Sequence, residues 1–522
     1  MTKFNKSLPN HCSIFYKASS PSMIHAQNRT RSMEMEKKVS MDGKRVVSVL
    51  RKSLVKPDKE TPKQTIWLSN IDLVSAFMSF TPIIYVYRYP QQSNLSPGEF
   101  FPIEGIKASL AKTLSVFSIY AGRLDSDETG RPEIKCTGEG TEFIEAACDL
   151  SIEEFGELIP SQELEDLLVP KNTSQQLPYM LVRYQVTRFK CGGVIIGLLA
   201  HHTTGDGMNS IRYFNAWADV HRGVVDVAKI PPPVLDRTGL RARSPPLVEY
   251  DHSEYQMPVK TLAPSNGNSM ISPTISKTLR LSKDNIEKLK SKASGENLAA
   301  TTFTAVVAHS WKCITKARKL SPEQTTRLLI GCDSKAIVNP PLSPLLNANA
   351  IVHLSSTMTV KEMVSCDLNR VATKIEEAKS FAHDKYVRSV VDFLDVRDGT
   401  RGVPPVQPTE VLAISWMRLP MYEADFGWGK PEFMGRAGIP YPGRLYLGKR
   451  TGDDGIWVTT TLEESDMGEF MKLFYSEFDY EVNGVMPETA NGVVLHKANG
   501  IAPQKVIGET NGVIIREMIS NV

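Results

Sequence analysis

Between Val194 and Ala200 the chain reads VIIGLLA, a run that is apolar on both faces. It suits a strand buried inside a sheet and falls far short of the roughly 20 residues needed to cross a bilayer. Just before it, Met180 to Phe189 alternates, with Met180, Val182, Tyr184 and Val186 on one side and Leu181, Arg183, Gln185 and Thr187 on the other. That period predicts a half-buried neighbouring strand, joined through a KCGG turn. After the apolar run come HHTTGDG and then MNSIRYFNAWADVH, where Ile211, Phe214 and Trp217 or Ala218 recur at helical spacing. A buried strand, a histidine pair, a Gly-flanked turn and a helix follow one another, as in an α/β layered fold.

The rest of the chain agrees. VVSVLRKSLVKP after Arg45 reads as a first strand, PIIYVYRY as another, and IEGIKASLAKTLSVFSIYAG as a helix with Ile106, Leu110, Leu114 and Phe117 near one face. The Pro-rich stretch Pro231 to Pro246 looks like a crossover. Beyond it SKTLRLSKDNIEKLKSKAS predicts a strand and helix, TTFTAVVAHSWKCITKAR a helix, and RLLIGCDSKAI a strand. The division expected is an extension over 1–44, one domain over 45–230, a linker over 231–265, a second domain over 266–478, and a tail over 479–522 without readable motif.

Charge excludes some partners. Lys+Arg 61 against Asp+Glu 58 leaves +3, so no long-range field points to nucleic acid or an anionic membrane, and a small molecule is the expected partner. The seven cysteines, with no C-x-x-C pair, read as reduced thiols. Met1 to Met33 is basic and Ser-rich with no acidic residue before Glu34. An organelle transit peptide and a plain extension with translation from Met33, Met35 or Met41 both fit, so the cytoplasm is the expected compartment and a plastid the alternative.

Two segments can carry chemistry. A histidine at the end of a buried strand keeps a neutral imidazole near pH 7 and presents one nitrogen to a substrate proton, which makes His202 a candidate general base. Asp206 lies four positions on, close enough to orient the turn or the ring, and Gly205 and Gly207 allow tight backbone geometry. Metal is not expected: adjacent His201 and His202 on an extended chain point opposite ways, and no third ligand is apparent. The second segment, DFGWG at Asp425 to Gly429, reads as a bent loop with a packed aromatic.

Together, H-x-x-x-D-G at His202 to Gly207 and D-F-G-W-G at Asp425 to Gly429 make the chain resemble the BAHD acyltransferases of plants, from about Val46 to Phe478, with LSNIDL near the start and VNPPL before Asn349 in support. The resemblance implies two similar α/β domains like chloramphenicol acetyltransferase with a channel between them. It implies acyl-CoA as co-substrate with no bound cofactor, a small-molecule acceptor and a monomer. His202 would deprotonate the acceptor for direct attack on the thioester. Asp206, Gly207, Asp425, Gly427, Trp428 and Gly429 would hold shape.

The stretch SWMRLP before EADFGWGKPEFMG is most similar to hydroxycinnamoyl-CoA transferases acting on shikimate or quinate. By that likeness Trp416 is a candidate oxyanion donor. Arg401 would grip an acceptor carboxylate, and Thr301 and Thr302 would contact CoA. This chain departs from the pattern in three places. Ile414 stands where a Thr is expected. Asp333, Ser334 and Lys335 replace D-G-R, so that Lys335 substitutes for the Arg partner of the second motif's Asp. LLNAN replaces Y-F-G-N, with only Asn349 matching, in the channel wall near the CoA arm. Three other readings stay open: N-acylation of a polyamine or aryl amine by the same base, a peptide-forming condensation domain, and a non-catalytic CoA-binding protein of the same fold.

Overall fold

The computed structural model describes residues 36–478 apart from 77–79, 91–95, 97–99, 175, 257–272, 398–405 and 453. Its framework is a pair of large sheets. The first has seven strands in the spatial order Lys37–Val39, Val46–Val55, Thr141–Cys148, Val182–Phe189, Val194–His201, Phe80–Tyr87 and Phe433–Arg436. The second has six, in the order Thr274–Leu281, Ile456–Glu463, Arg444–Lys449, Glu410–Ser415, Thr325–Asp333 and Ile351–Thr359. A smaller sheet of four strands flanks the first half.

The apolar run at Val194 lies where its composition demands, flanked by hydrogen-bonded strands on both edges and buried at every residue. Helices Ile103–Val116 and Gly207–Arg222 cover one face of that sheet, packing Leu110, Ile211, Phe214 and Trp217 on Tyr85, Tyr184 and Ile196. Helix Gln162–Leu168 covers the other, against Ile84, Ile195 and Leu199. The second sheet buries one face under helices Lys283–Ala293, Thr302–Ala317, Leu368–Lys379 and Glu464–Tyr475. Its opposite face, with Tyr446 and Trp457, packs on the core of the first half.

Three expectations need correction. The Val182–Phe189 strand is buried on both faces, because Arg183 meets Glu142 at 2.8 Å and Gln185 donates to Leu167 O at 2.8 Å. Order begins before Arg45, as Lys37–Val39 already pairs with Val46–Ser48. Residues 433–436, from the second half of the sequence, pair with Phe80–Tyr87 of the first sheet. A short strand followed by Gly and Pro carries no local signal of which sheet it will join. Residues 1–35 and the tail from 479 lie outside the described residues.

The halves meet around a buried ion pair. Arg237 of the linker sits 3.1 Å from Asp72 of the LSNIDL segment, and both side chains are 0% exposed. Asp72 also accepts from Ser69 N at 2.9 Å, Ser69 Oγ at 2.6 Å and Asn349 N at 2.8 Å. Removing one member of such a pair strands the other charge in a dry interior, at about 3–5 kcal/mol.

Two stability measurements check this framework. Asp72→Asn is expected to lose about 3–5 kcal/mol in urea unfolding, and adding Arg237→Met is expected to recover part of it, since no lone cation then remains. An added loss in the double variant would show that the pair is not coupled. Gly197→Ala is expected to cost roughly 3 kcal/mol, because a Cβ there would stand 1.9 Å from Leu168 O. A neutral substitution would mean that this backbone crossing is loose.

Candidate active site

The buried strand ends at His201, and His202–Thr204 forms a single 3-10 turn before the helix. The two histidines diverge as alternation requires. His201 is enclosed: Nδ1 lies 2.8 Å from Thr203 Oγ1, Nε2 lies 3.4 Å from Tyr179 Oη, and Phe80 packs edge-on at 4.9 Å. Burial pushes its pKa down to about 3, so it is a neutral packing residue.

His202 turns the other way and keeps part of its surface open. Burial, reinforced by the charges of Arg436 and Arg444, pushes its pKa down to about 4, with its own carbonyl and Asn349 opposing the shift. The ring is therefore neutral at pH 7. Its Nδ1 lies toward its own carbonyl and the Asn349 amide, and Nε2 makes no hydrogen bond to any described residue.

Three consecutive carbonyls of this turn are each held from outside the first half. Asn349 Nδ2 donates to His202 O at 2.6 Å and lies 3.0 Å from the ring Nδ1. Arg237 Nη2 lies 3.3 Å from Thr203 O and 2.8 Å from Asn347 O, and Asn347 Nδ2 donates to Thr204 O. Asn349 thus belongs to the histidine turn. The LLNAN segment was readable as a departure in the sequence, but its contacts, 147 residues away, have no local signature.

Asp206 caps the following helix. Its Oδ1 accepts from Asn209 N at 3.1 Å, its Oδ2 meets Lys335 Nζ, and burial pushes its carboxyl upward. It makes no hydrogen bond to the His202 ring. Lys335 therefore partners the Asp of the first motif, whereas the expected pairing was with the second. Asp425 instead takes Arg222 at 3.2 Å and accepts from Gly427 N at 2.7 Å and Gly429 N at 3.0 Å. Those glycines have φ of +108° and +104°, a region other residues avoid. The folded loop packs Phe426 against Trp217 at 5.1 Å and Trp428 against Phe101 at 4.5 Å. Gly207, the first residue of the helix, is exposed.

Trp416 is half-buried beside Tyr446 and Trp457, in the wall of a cleft shared with Arg436, Thr278 and Thr459. Its indole N–H donates to no described residue. Thr301 caps helix Thr302–Ala317, accepting from Thr304 N at 3.2 Å, and neither it nor Thr302 hydrogen-bonds the histidine turn. Arg401 lies outside the described residues. Sequence reasoning missed Asn349's role, Asp72, Arg237, Arg436 and Arg444.

Comparison with known proteins agrees with this arrangement. The Transferase family model matches residues 45–477. Putrescine hydroxycinnamoyltransferase 1 of Oryza sativa subsp. japonica is 39% identical over 83% of this chain and 99% of its own length. Shikimate O-hydroxycinnamoyltransferase of Nicotiana tabacum is 36% identical over 82% and 99%. A hydroxycinnamoyl-CoA:5-hydroxyanthranilate N-hydroxycinnamoyltransferase of Avena sativa is 34% identical over the same shares. Vinorine synthase shares the fold at a TM-score of 0.64, with 21% identity over 83% of this chain and 98% of that one. So does F. graminearum TRI101 complexed with ethyl coenzyme A, at a TM-score of 0.65 and 16% identity over 78% and 96%. A match across both halves, with both motifs folded around one helix, places the chain in the BAHD Transferase family as an acyl-CoA-dependent acyltransferase.

Proposed function

We propose that the protein transfers a hydroxycinnamoyl group from its CoA thioester to a hydroxyl of a small acceptor such as shikimate or quinate, with His202 as general base. What carries this reading is a neutral imidazole whose Nε2 is unshared, in a turn pinned at three carbonyls. Nε2 takes the acceptor proton as the acceptor oxygen bonds to the thioester carbon, and the carbonyl electrons move onto its oxygen. Trp416 N–H, free of protein partners, is the proposed donor to that oxyanion. Collapse re-forms the carbonyl and breaks the carbon–sulfur bond, and the imidazolium returns its proton to the CoA thiolate. The thioester is already activated, so a positioned base worth roughly 100- to 10,000-fold suffices without an acyl-enzyme.

The same base serves an amine, and the rice relative is named for putrescine, so the acceptor panel must include both. CoA release from p-coumaroyl-CoA, caffeoyl-CoA and acetyl-CoA is to be measured with shikimate, quinate, putrescine and spermidine. A hydroxycinnamoyl donor with a hydroxyl acceptor is expected to turn over, and His202→Ala to lower kcat by roughly 100- to 10,000-fold. Equal rates in wild type and variant would remove His202 from the mechanism.

The pH dependence is a second check. A base with a lowered pKa stays deprotonated until the pH falls well below the usual histidine value, so kcat/KM is expected to be flat between pH 6 and 8 and to decline only toward about pH 4. The same shift makes folding stability from His202 fully present above about 6.5 and progressively lost as pH falls toward 4. An acid limb in kcat/KM centred at or above 6.5 would contradict a buried, cation-flanked base.

A further inference from the structure

Two buried arginines whose charges reach His202 have no carboxylate of a described residue within ion-pair distance. On strand Arg444–Lys449, Leu445 and Leu447 enter the core of the second half, which leaves Arg444 on the face shared with Tyr446, the face that lines the Trp416 cleft. Arg444 is 7% exposed, and its guanidinium makes no hydrogen bond or ion pair with any described residue. Its Nε is sealed from solvent and unpartnered, and its guanidinium rests on the Tyr441 ring at 4.9 Å. Arg436, 8% exposed, lines the same cleft over Tyr446, and its Nε donates to Gly438 O at 3.0 Å. Its charge feels Glu165, but no carboxylate of a described residue lies within ion-pair distance.

Burying one cation without a partner is costly, and burying two side by side compounds the repulsion. A planar guanidinium held this way is suited to a carboxylate, which it meets with two parallel N–H donors. Both charges reach His202, and that of Arg444 also reaches the buried His353. An anion bound there lies near the reacting centre. The phosphates of CoA are a whole pantetheine arm from the thioester carbon, and a hydroxycinnamoyl group carries no anion of its own. The anion therefore belongs to the acceptor.

Resting on the acyl-transfer reading above, we propose that Arg444, assisted by Arg436, holds a carboxylate of the acceptor, so that this transferase takes acidic acceptors and rejects cationic diamines. Such an acceptor carries its own counter-charge into the cleft. A diamine would add a further cation to an already unbalanced pair.

The test follows p-coumaroyl-CoA turnover with shikimate, quinate and 5-hydroxyanthranilate, with the methyl ester of each, and with putrescine. In parallel the thermal midpoint is measured with each acceptor alone, for wild type and Arg444→Gln. The acids are expected to be preferred over their esters and over putrescine, and to raise the wild-type midpoint. Arg444→Gln is expected to raise the acceptor KM about 10- to 100-fold, to leave the thioester KM in place and to abolish the acid-dependent shift. Without ligand the variant is expected to melt no lower than wild type, since it removes a lone buried charge. The proposal is overturned if wild type uses esters or putrescine as well as acids, if no acid shifts the midpoint or turns over, or if the variant keeps the acid preference. It is also overturned if the thioester KM rises instead, which would put a donor phosphate on Arg444, or if the unliganded variant melts far below wild type. If no acceptor releases CoA yet acids still raise the wild-type midpoint and not the variant's, the carboxylate site stands and the transfer reading falls.

Discussion

The buried pair between Asp72 and Arg237 is the contact on which the geometry of the candidate site rests. A fully desolvated ion pair is a poor source of stability by itself, since well-packed apolar residues often do as well. Its value here lies in what the two groups hold besides each other. Asp72 fixes its own helix start through Ser69 and the backbone of Asn349. Arg237 lies within reach of Thr203 O and Asn347 O. One interaction thus ties a helix of the first half, the linker and a loop of the second half to the turn that carries His202.

The two sequence motifs act on a single helix, Gly207–Arg222. At its start Asp206 caps the backbone and reaches across to Lys335, and near its end Arg222 reaches across to Asp425. Both bridges run between the halves of the sequence. A helix held at each end cannot slide relative to the second sheet, and the histidine turn leads directly into it. The aspartates are therefore separated from the chemistry by one step: neither bonds the ring, yet each limits where the ring can be. A lysine opposite Asp206 gives a point contact where Arg would give two parallel bonds, so the cap with Asn209 carries more of the alignment.

Much of this was legible along the chain, where local chemistry decides the outcome. VIIGLLA had to be an interior strand, the Ile211, Phe214, Trp217 spacing had to be a helix, and two glycines around Trp428 had to be a bent loop. Long-range polar pairing was not legible. Arg183 and Gln185 look like the wet face of a strand until Glu142 and Leu167 O are placed beside them. Asn349 reads as one match in a degraded motif, and nothing near Lys335 says that its partner is Asp206 rather than Asp425. Each of these depends on a partner 18 to 147 positions away, and periodicity holds no information on where that partner lies.

His202, as the proposed base, illustrates the trade involved in building a base in such a place. Burial and two nearby guanidinium groups keep the imidazole unprotonated at every pH where the fold is secure, so the lone pair is always available. The same influences make it a poor proton acceptor, whereas general-base catalysis is most effective when the pKa lies near the working pH. Before an acceptor binds, the proposed base is thus unprotonated but weak. An acceptor that places a carboxylate on Arg444 and Arg436 offsets the positive potential at the ring, which favours the imidazolium only when a substrate proton is there to be taken. On the proposed binding mode the acceptor's anion does two jobs: it orients the nucleophile, and it restores to His202 the basicity that the two arginines withhold.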